Sequence, residues 1–478
     1  MRKALIFGLL CVLGGCAKTA PVAQSPTNAA SSGPVAADDG AVDGREPADR
    51  KNADTWIGAS PEGSMLSSDT RDTFLGVWVD VPETHPEMRP PMEVALVVDT
   101  SGSMAGAKIE NARTAAAMLV RNLKDGDIVA LDAFSDHART IVGPTRLDAT
   151  SRTEILRRIS ELTPSGSTNM FAGLSLGESQ LAAAPASHTI RRVVVVSDGI
   201  ANVGPSSPDS LGMLAERGLS SRTQVTSLGV GNDYDERTLN ALAIRSSGRM
   251  YHLSEPRELA QILRGELDLL DGTRASEAFV EIVPAPGVQV LGAEGIRADF
   301  TGGGLRIPLG ALHSGQHREA LVRVRITDPS MFEGHSRSLA SVRLRFRDPQ
   351  EGDLERIQEV VARTELSADS SAVARNVNSR TKAIVAIVDA AQRQLDAAQR
   401  INDGQFGDAD KELEAAQRRL VAQADVVTAP AEKRRLQAAA GKVARARAAA
   451  SAMPSAPKAV QREGALKMNA DAMHESGY

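Results

Sequence analysis

The chain has 478 residues, more than one hydrophobic core usually organises, so two or three domains are expected. A net charge of −5 is small for this length, so nothing recommends nucleic acid as a partner. The two cysteines, Cys11 and Cys16, both lie near the start, which excludes a disulfide framework or a cysteine metal site in the body; the eight histidines show no zinc-like spacing.

The N-terminus reads as a targeting signal. Arg2-Lys3 is a positive start, 4–13 is an apolar run too short to span a bilayer, and small residues follow. Leu13-Gly14-Gly15-Cys16 resembles the bacterial lipobox, which implies a signal peptide over 1–15 and lipidation of Cys16, so that the membrane is a partner through that anchor. An ordinary signal peptide with a chance cysteine is the alternative. Ala17 follows the cysteine where Asp would signal inner-membrane retention, which favours an outer-membrane lipoprotein of the bacterial envelope, facing the periplasm or the exterior. Residues 16–54 are Ala, Pro, Ser, Gly and Asp with almost no large apolar side chains, a composition that predicts a disordered tether. Its end-to-end distance would be roughly 35 Å.

Residues 73–81 alternate, with Leu75, Val77, Val79 and Val81 on one face, and predict a strand. An aliphatic strand follows over 92–98, then the run Asp99-Thr100-Ser101-Gly102-Ser103-Met104. Ile109, Ala112, Ala116, Leu119 and Leu123 recur at helical spacing, and Lys124-Asp125-Gly126-Asp127 ends that helix. Strands are predicted at 128–134, 140–142, 191–196, 224–230 and 250–253, and helices at 151–162, 170–184, 209–219, 236–245 and 258–270. This alternation predicts an α/β fold, a doubly wound parallel sheet over 91–270. Further strands at 278–283, 288–291, 305–308, 319–326, 340–346 and 354–366, parted by Gly, Pro and Asp turns, predict a β-sandwich over 271–367. The strand in 55–90 is expected to join it, leaving the α/β domain inserted within the sandwich. Residues 368–453 are rich in helix formers. They predict one long helix over 374–402 and a tetratricopeptide-like helical hairpin; the tail, 454–478, reads as disordered.

The chemistry concentrates at the strand ends. Asp99, Ser101 and Ser103 alternate, so an extended segment would point all three to one side. A carboxylate and two hydroxyls there make an oxygen-rich pocket for a hard divalent cation. The triplet alone could equally be a polar turn that caps the next helix. Thr168, in Pro164-Ser165-Gly166-Ser167-Thr168-Asn169, and Asp198, after the run Val193-Val194-Val195-Val196, supply further oxygens at suitable places. The set Asp99, Ser101, Ser103, Thr168 and Asp198 resembles the metal-ion-dependent adhesion site of the von Willebrand factor type A family, and the stretches 197–204 and 228–235 are similar to bacterial members. Asp233 and Asp235 suggest either a second cation site or, the reading favoured, an acidic helix N-terminus.

The resemblance implies that Mg²⁺, with Mn²⁺ or Ca²⁺ as substitutes, is held by Ser101, Ser103 and often Thr168 directly and by Asp99 and Asp198 through water. An open position would then remain for an Asp or Glu carboxylate of a protein partner. It implies a binding module rather than an enzyme, and at the helix over 258–270 either a metal-linked movement or, the reading favoured, a rigid junction. Two other readings are a structural part of an envelope complex and a metal-dependent hydrolase with Asp99 as nucleophile.

Overall fold

The computed structural model describes residues 55–83, 91–198, 201–231, 234–253, 265 and 271–475. The signal segment, Cys16, the tether and, residue 265 apart, the helix expected over 258–270 lie outside the described residues.

The chain opens on β1 (Ile57–Pro61), β2 (Met65–Ser67) and β3 (Asp72–Asp80). The α/β domain follows: β4 (Met92–Asp99), α1 (Ala107–Asn122), β5 (Ile128–Phe134), β6 (Ala138–Arg146), α2 (Ala149–Ser160), α3 (Met170–Ala182), β7 (Ile190–Ser197), α4 (Pro208–Gly218), β8 (Thr223–Val230), α5 (Glu236–Ser246) and β9 (Arg249–Leu253). Its sheet runs β6-β5-β4-β7-β8-β9, parallel except for the edge strand β6. The doubly wound sheet expected from the alternation is the one found. Each face has its own core: Ile109, Leu119 and Ile155 pack on one side of β4, and Leu174, Leu214 and Leu242 on the other. That two-sided burial explains why β4, β5 and β7 read as continuous aliphatic runs.

After the α/β domain come β10 (Thr273–Pro284), β11 (Val288–Ala293), β12 (Asp299–Thr301), β13 (Gly304–His313), β14 (His317–Ile326), β15 (Arg337–Asp348) and β16 (Leu354–Ser367). They form two sheets with the opening strands, β1-β3-β14-β11 and β12-β13-β10-β15-β16-β2. Residues Leu75, Val77, Val322 and Val324 of one sheet and Val280, Ile282, Val342 and Leu344 of the other share a core. β3 pairs antiparallel with β14 along its whole length, Asp72 opposite Arg325 and Asp80 opposite His317, so the α/β domain is inserted between two parts of a sandwich.

The C-terminal region differs from expectation in two places. The long helix over 374–402 is broken into α6 (Ser370–Arg375) and α7 (Ser379–Asn402). The break has a distant cause: Ser64 N–H donates to Asn376 O (3.0 Å), Asn378 N–H donates to Glu62 O (2.9 Å), and the Asn378 side chain then caps α7 through Thr381 N–H (2.8 Å). The second difference is the tail. α8 (Phe406–Val426) and α9 (Pro430–Ala452) are followed by a further helix, α10 (Lys458–Glu475), where disorder was expected. Ala465 and Met468 enter the helical core with Leu413 and Leu436, while Leu466 enters the α/β core beside Tyr234, Leu239 and Met250. The tail is ordered because its helix buries apolar residues on both neighbours.

α7 crosses β3 and β14. Trp78, Leu321, Ile384 and Val385 pack there, and a Cβ at Gly76 would lie 2.7 Å from Thr381 Oγ1, so glycine permits the close approach. Among the described residues no helix is long and apolar enough to cross a membrane.

Candidate functional site

β4 and β7 are the central neighbours of the α/β sheet, and the chain leaves them in opposite directions, to β5 on one side and β8 on the other. The crevice beyond their carboxyl ends is the switch point where ligands bind in such sheets. Asp99 is the last residue of β4, and Asp198 directly follows β7.

The structure brings four of the five sequence candidates into one hydrogen-bonded cluster. Ser101 Oγ and Ser103 Oγ are 3.0 Å apart, and Ser103 Oγ donates to Asp198 Oδ1 at 2.9 Å. Asp99 is fully buried, accepting from Ser101 N–H (2.8 Å) and from Ser197 Oγ (2.6 Å). The convergence does not come from an extended segment, as the spacing suggested. Ser101 is extended, but Gly102–Met104 is a turn of 3₁₀ helix, and this turn carries Ser103 round towards Asp198.

Thr168 arrives on a second loop. Gly102 N–H donates to Gly166 O (2.9 Å) and Ser165 N–H to Thr100 O (2.7 Å), which seats that loop against the first. Thr168 is buried, its N–H held by Asn202 Oδ1 (2.8 Å) and its carbonyl by Asn202 N–H (3.0 Å). Asp136 Oδ1 accepts from Ser167 N–H at 2.9 Å and fixes the turn from the outside.

Burial, with the neighbouring Asp198 charge adding to it, outweighs the hydrogen bonds from Ser197 and Ser101 and pushes Asp99 up to about 6. Two buried carboxylates thus meet the hydroxyls of buried Ser101 and exposed Ser103 in one crevice, a donor set that suits a hard dication. Among the described residues no group of three or more His, Cys, Asp or Glu side chains gathers to hold a metal, so the chemistry available here is the mixed hydroxyl and carboxylate kind.

Sequence reasoning missed Lys108. Its Nζ lies 2.5 Å from Asp198 Oδ2. The signal was its place as the second residue of α1, because helical side chains lean back over the preceding turn. It missed Ser197 and Asn202 as supports, each next to or near a candidate and able to bond it. Asp235, by contrast, caps α5 through Arg237 N–H (3.1 Å) and Thr238 Oγ1 (2.7 Å), whereas Asp233 lies outside the described residues.

The sheet order and the position of the crevice define a Rossmann-like α/β domain. Residues 93–265 match the von Willebrand factor type A domain, and the chain carries a domain of that family. Uncharacterized protein YfbK of Escherichia coli K12 is 26% identical over 217 residues, covering 45% of this chain and 37% of that protein. Human inter-alpha-trypsin inhibitor heavy chain H3 is 29% identical over 177 residues, 34% of this chain and 20% of its own length. The chain therefore spans well under half the length of these curated relatives. In structure, a von Willebrand factor type A protein from Catenulispora acidiphila matches 88% of this chain and 98% of its own with a TM-score of 0.69 at 15% identity. The ArnB paralog VWA2 from Sulfolobus acidocaldarius covers the same shares with a TM-score of 0.55 at 13% identity. These two likenesses are of fold.

Proposed function

We propose that this protein is a cell-envelope lipoprotein whose type A domain captures an acidic side chain of a partner protein through a divalent cation, Mg²⁺ in the first place. Domains of this family commonly mediate protein–protein interaction. The observation that carries the metal reading is the hydrogen-bonded cluster of buried Asp99, Ser101 and Asp198 with exposed Ser103 at the β4–β7 switch point. Ser101, Ser103 and Thr168 would supply neutral oxygens and Asp99 and Asp198 the charge. Neutral hydroxyls leave much of a dication's charge unneutralised, and Mg²⁺ gives up its last waters reluctantly, so a partner carboxylate is the fitting ligand for an open position. The serines and threonine of the crevice suit capture of a carboxylate through a dication better than phosphoryl chemistry. Anchoring through Cys16 rests on the lipobox-like Leu13-Gly14-Gly15-Cys16, and the outer membrane on Ala17.

Calorimetry of the full chain with Mg²⁺, beside pull-down of envelope proteins in Mg²⁺ and in EDTA, tests this reading. The native chain should bind Mg²⁺ and retain a partner only with the metal; Asp99→Ala should lose both while keeping its circular dichroism. Unchanged Mg²⁺ affinity in Asp99→Ala refutes the site, and partner retention in EDTA refutes the metal's role.

A further inference from the structure

The acidic side of the crevice already holds a cation of the chain's own. Lys108 Nζ sits 2.5 Å from Asp198 Oδ2, while Asp198 Oδ1 accepts from Ser103 Oγ at 2.9 Å. The Asp198 carboxylate has no exposed surface, and the Lys108 side chain is 26% exposed, so the pair is closed on the protein side and open towards solvent. The lysine stem is housed as well. Gly231, at φ +80°, directly follows β8 and passes so close that a Cβ there would come 3.3 Å from Lys108 Cε.

A dication among Ser101 Oγ, Ser103 Oγ and the Asp198 carboxylate would stand beside that ammonium, and like charges at such range in a buried crevice repel strongly. The two cations compete for one carboxylate. Lysine can yield, because its flexible stem lets the ammonium move out to water while the methylenes stay packed.

We propose that Lys108 is a built-in counter-cation that pairs with Asp198 when the metal is absent and must leave when it binds, thereby setting the threshold concentration for metal loading. The inference rests on the metal-site reading above. In the metal-free protein Lys108 keeps the buried carboxylates from facing each other uncompensated, so the crevice stays folded and ready. At low divalent concentration the lysine holds the site; at high concentration the metal displaces it. Adhesion would then respond to divalent ion over a range fixed by this residue.

The test compares native protein, Lys108→Met and Lys108→Gln by Mg²⁺ calorimetry and by melting in EDTA. Methionine keeps the stem against Gly231 and removes the charge; glutamine provides a second neutral variant should methionine disturb folding. Both should bind Mg²⁺ more tightly, by roughly tenfold or more on the usual scale of coupling between linked charges. Both should also melt at a lower temperature than native protein in EDTA, so that Mg²⁺ raises their melting point more. Lys108→Arg, which keeps the charge, should stay near native. Mg²⁺ binding in the neutral variants where native protein shows none also supports the proposal. Native protein that binds Mg²⁺ with neutral variants no tighter overturns the counter-cation and leaves the metal site standing. Absence of Mg²⁺ binding in all of them overturns both.

Discussion

Arg380→Met is the sharpest probe of how the sandwich and the helical region are joined. The Arg380 side chain is 3% exposed, donates to both Asp80 oxygens (2.9 and 2.8 Å), and lies 4.5 Å over the Trp78 ring. Around it, His317 bonds Asp80 and Glu319, and Arg435 bonds Glu319 from α9, with Glu432 beside it. Burial works to raise Asp80, but the His317 and Arg380 hydrogen bonds outweigh it and hold the carboxyl well below the usual range. Burial likewise works to raise Glu319, but the charge of Arg435 and the bond from His317 hold it low. For His317, burial works downward and the Asp80 and Glu319 bonds prevail, raising it above the usual value. Methionine keeps most of the stem volume, so the loss is electrostatic. Breaking a buried pair by removing one partner costs about 3–5 kcal/mol, and the remaining bonds from His317 and Arg435 place this case near the lower end, about 3. In a cooperative unit of roughly 150–250 residues that lowers Tm by about 6–12 °C. The sign with pH follows from the directions. The contributions of Asp80 and Glu319 are present above their unfolded values, about 4, and are lost as pH falls. The contribution of His317 is present below about 6.5 and is lost as pH rises through its higher folded value. In the variant only His317 remains to balance Asp80, so Arg380→Met should cost more at pH 8.5 than at pH 5.5. Because the Arg380 charge also works against His317 protonation, the histidine should titrate higher still in the variant, which NMR can follow. Denaturant melts at the two pH values decide the matter: a cost under about 1 kcal/mol at both, or one independent of pH, refutes the reasoning.

Two further outcomes are expected. Arg462→Ala should loosen α10 from the α/β domain, because Arg462 bonds Tyr234 O (2.8 Å) and the Glu236 carboxylate (2.6 and 3.0 Å); limited trypsin digestion should cut at Lys467 several-fold faster, and an unchanged rate would refute the clamp. Cys16→Ser should give exported protein that leaves the membrane fraction on a high-salt wash, whereas retention after the wash would point to another anchor.

The α/β sheet was legible because its strands are buried on both faces and its helices repeat every three or four residues, patterns local to each segment. Asp99, Ser101, Ser103 and Asp198 were legible for a different reason: strand ends in such a sheet are where polar residues meet. The 3₁₀ turn that makes Ser103 converge was not, since alternation along the chain suggests the same grouping by a different geometry. Lys108 was missed because a lysine in the first turn of an amphipathic helix reads as a solvated charge until the fold sets Asp198 before it. The break at Asn376-Val377-Asn378 depends on backbone more than three hundred residues away, at Glu62 and Ser64, and could not be seen locally. The tail helix was there to be read: Ala465, Leu466, Met468, Ala472 and Met473 follow helical spacing and are buried. Pro454, Pro457 and Gly464 concealed it, because such residues more often mark a loop.

The insertion also decides which way the crevice faces. The sandwich meets the α/β domain at the amino ends of β7 and β8. Arg222 bonds Asp353 (2.8 Å) and pairs with Glu277, and Gln224 accepts from Ala311 N–H (3.2 Å). Asp99 and Asp198 lie at the opposite, carboxyl ends of the same sheet. The helical region adds a second hold at the carboxyl-end side of β8, where Asn402 of α7 and Arg462 of α10 both bond Glu236 at the start of α5. The sandwich contacts of Arg222 and Gln224 thus lie at the amino end of β8, away from Asp99 and Asp198. The grip on α5 nevertheless lies just beyond the loop that begins at Gly231, against which the Lys108 stem packs.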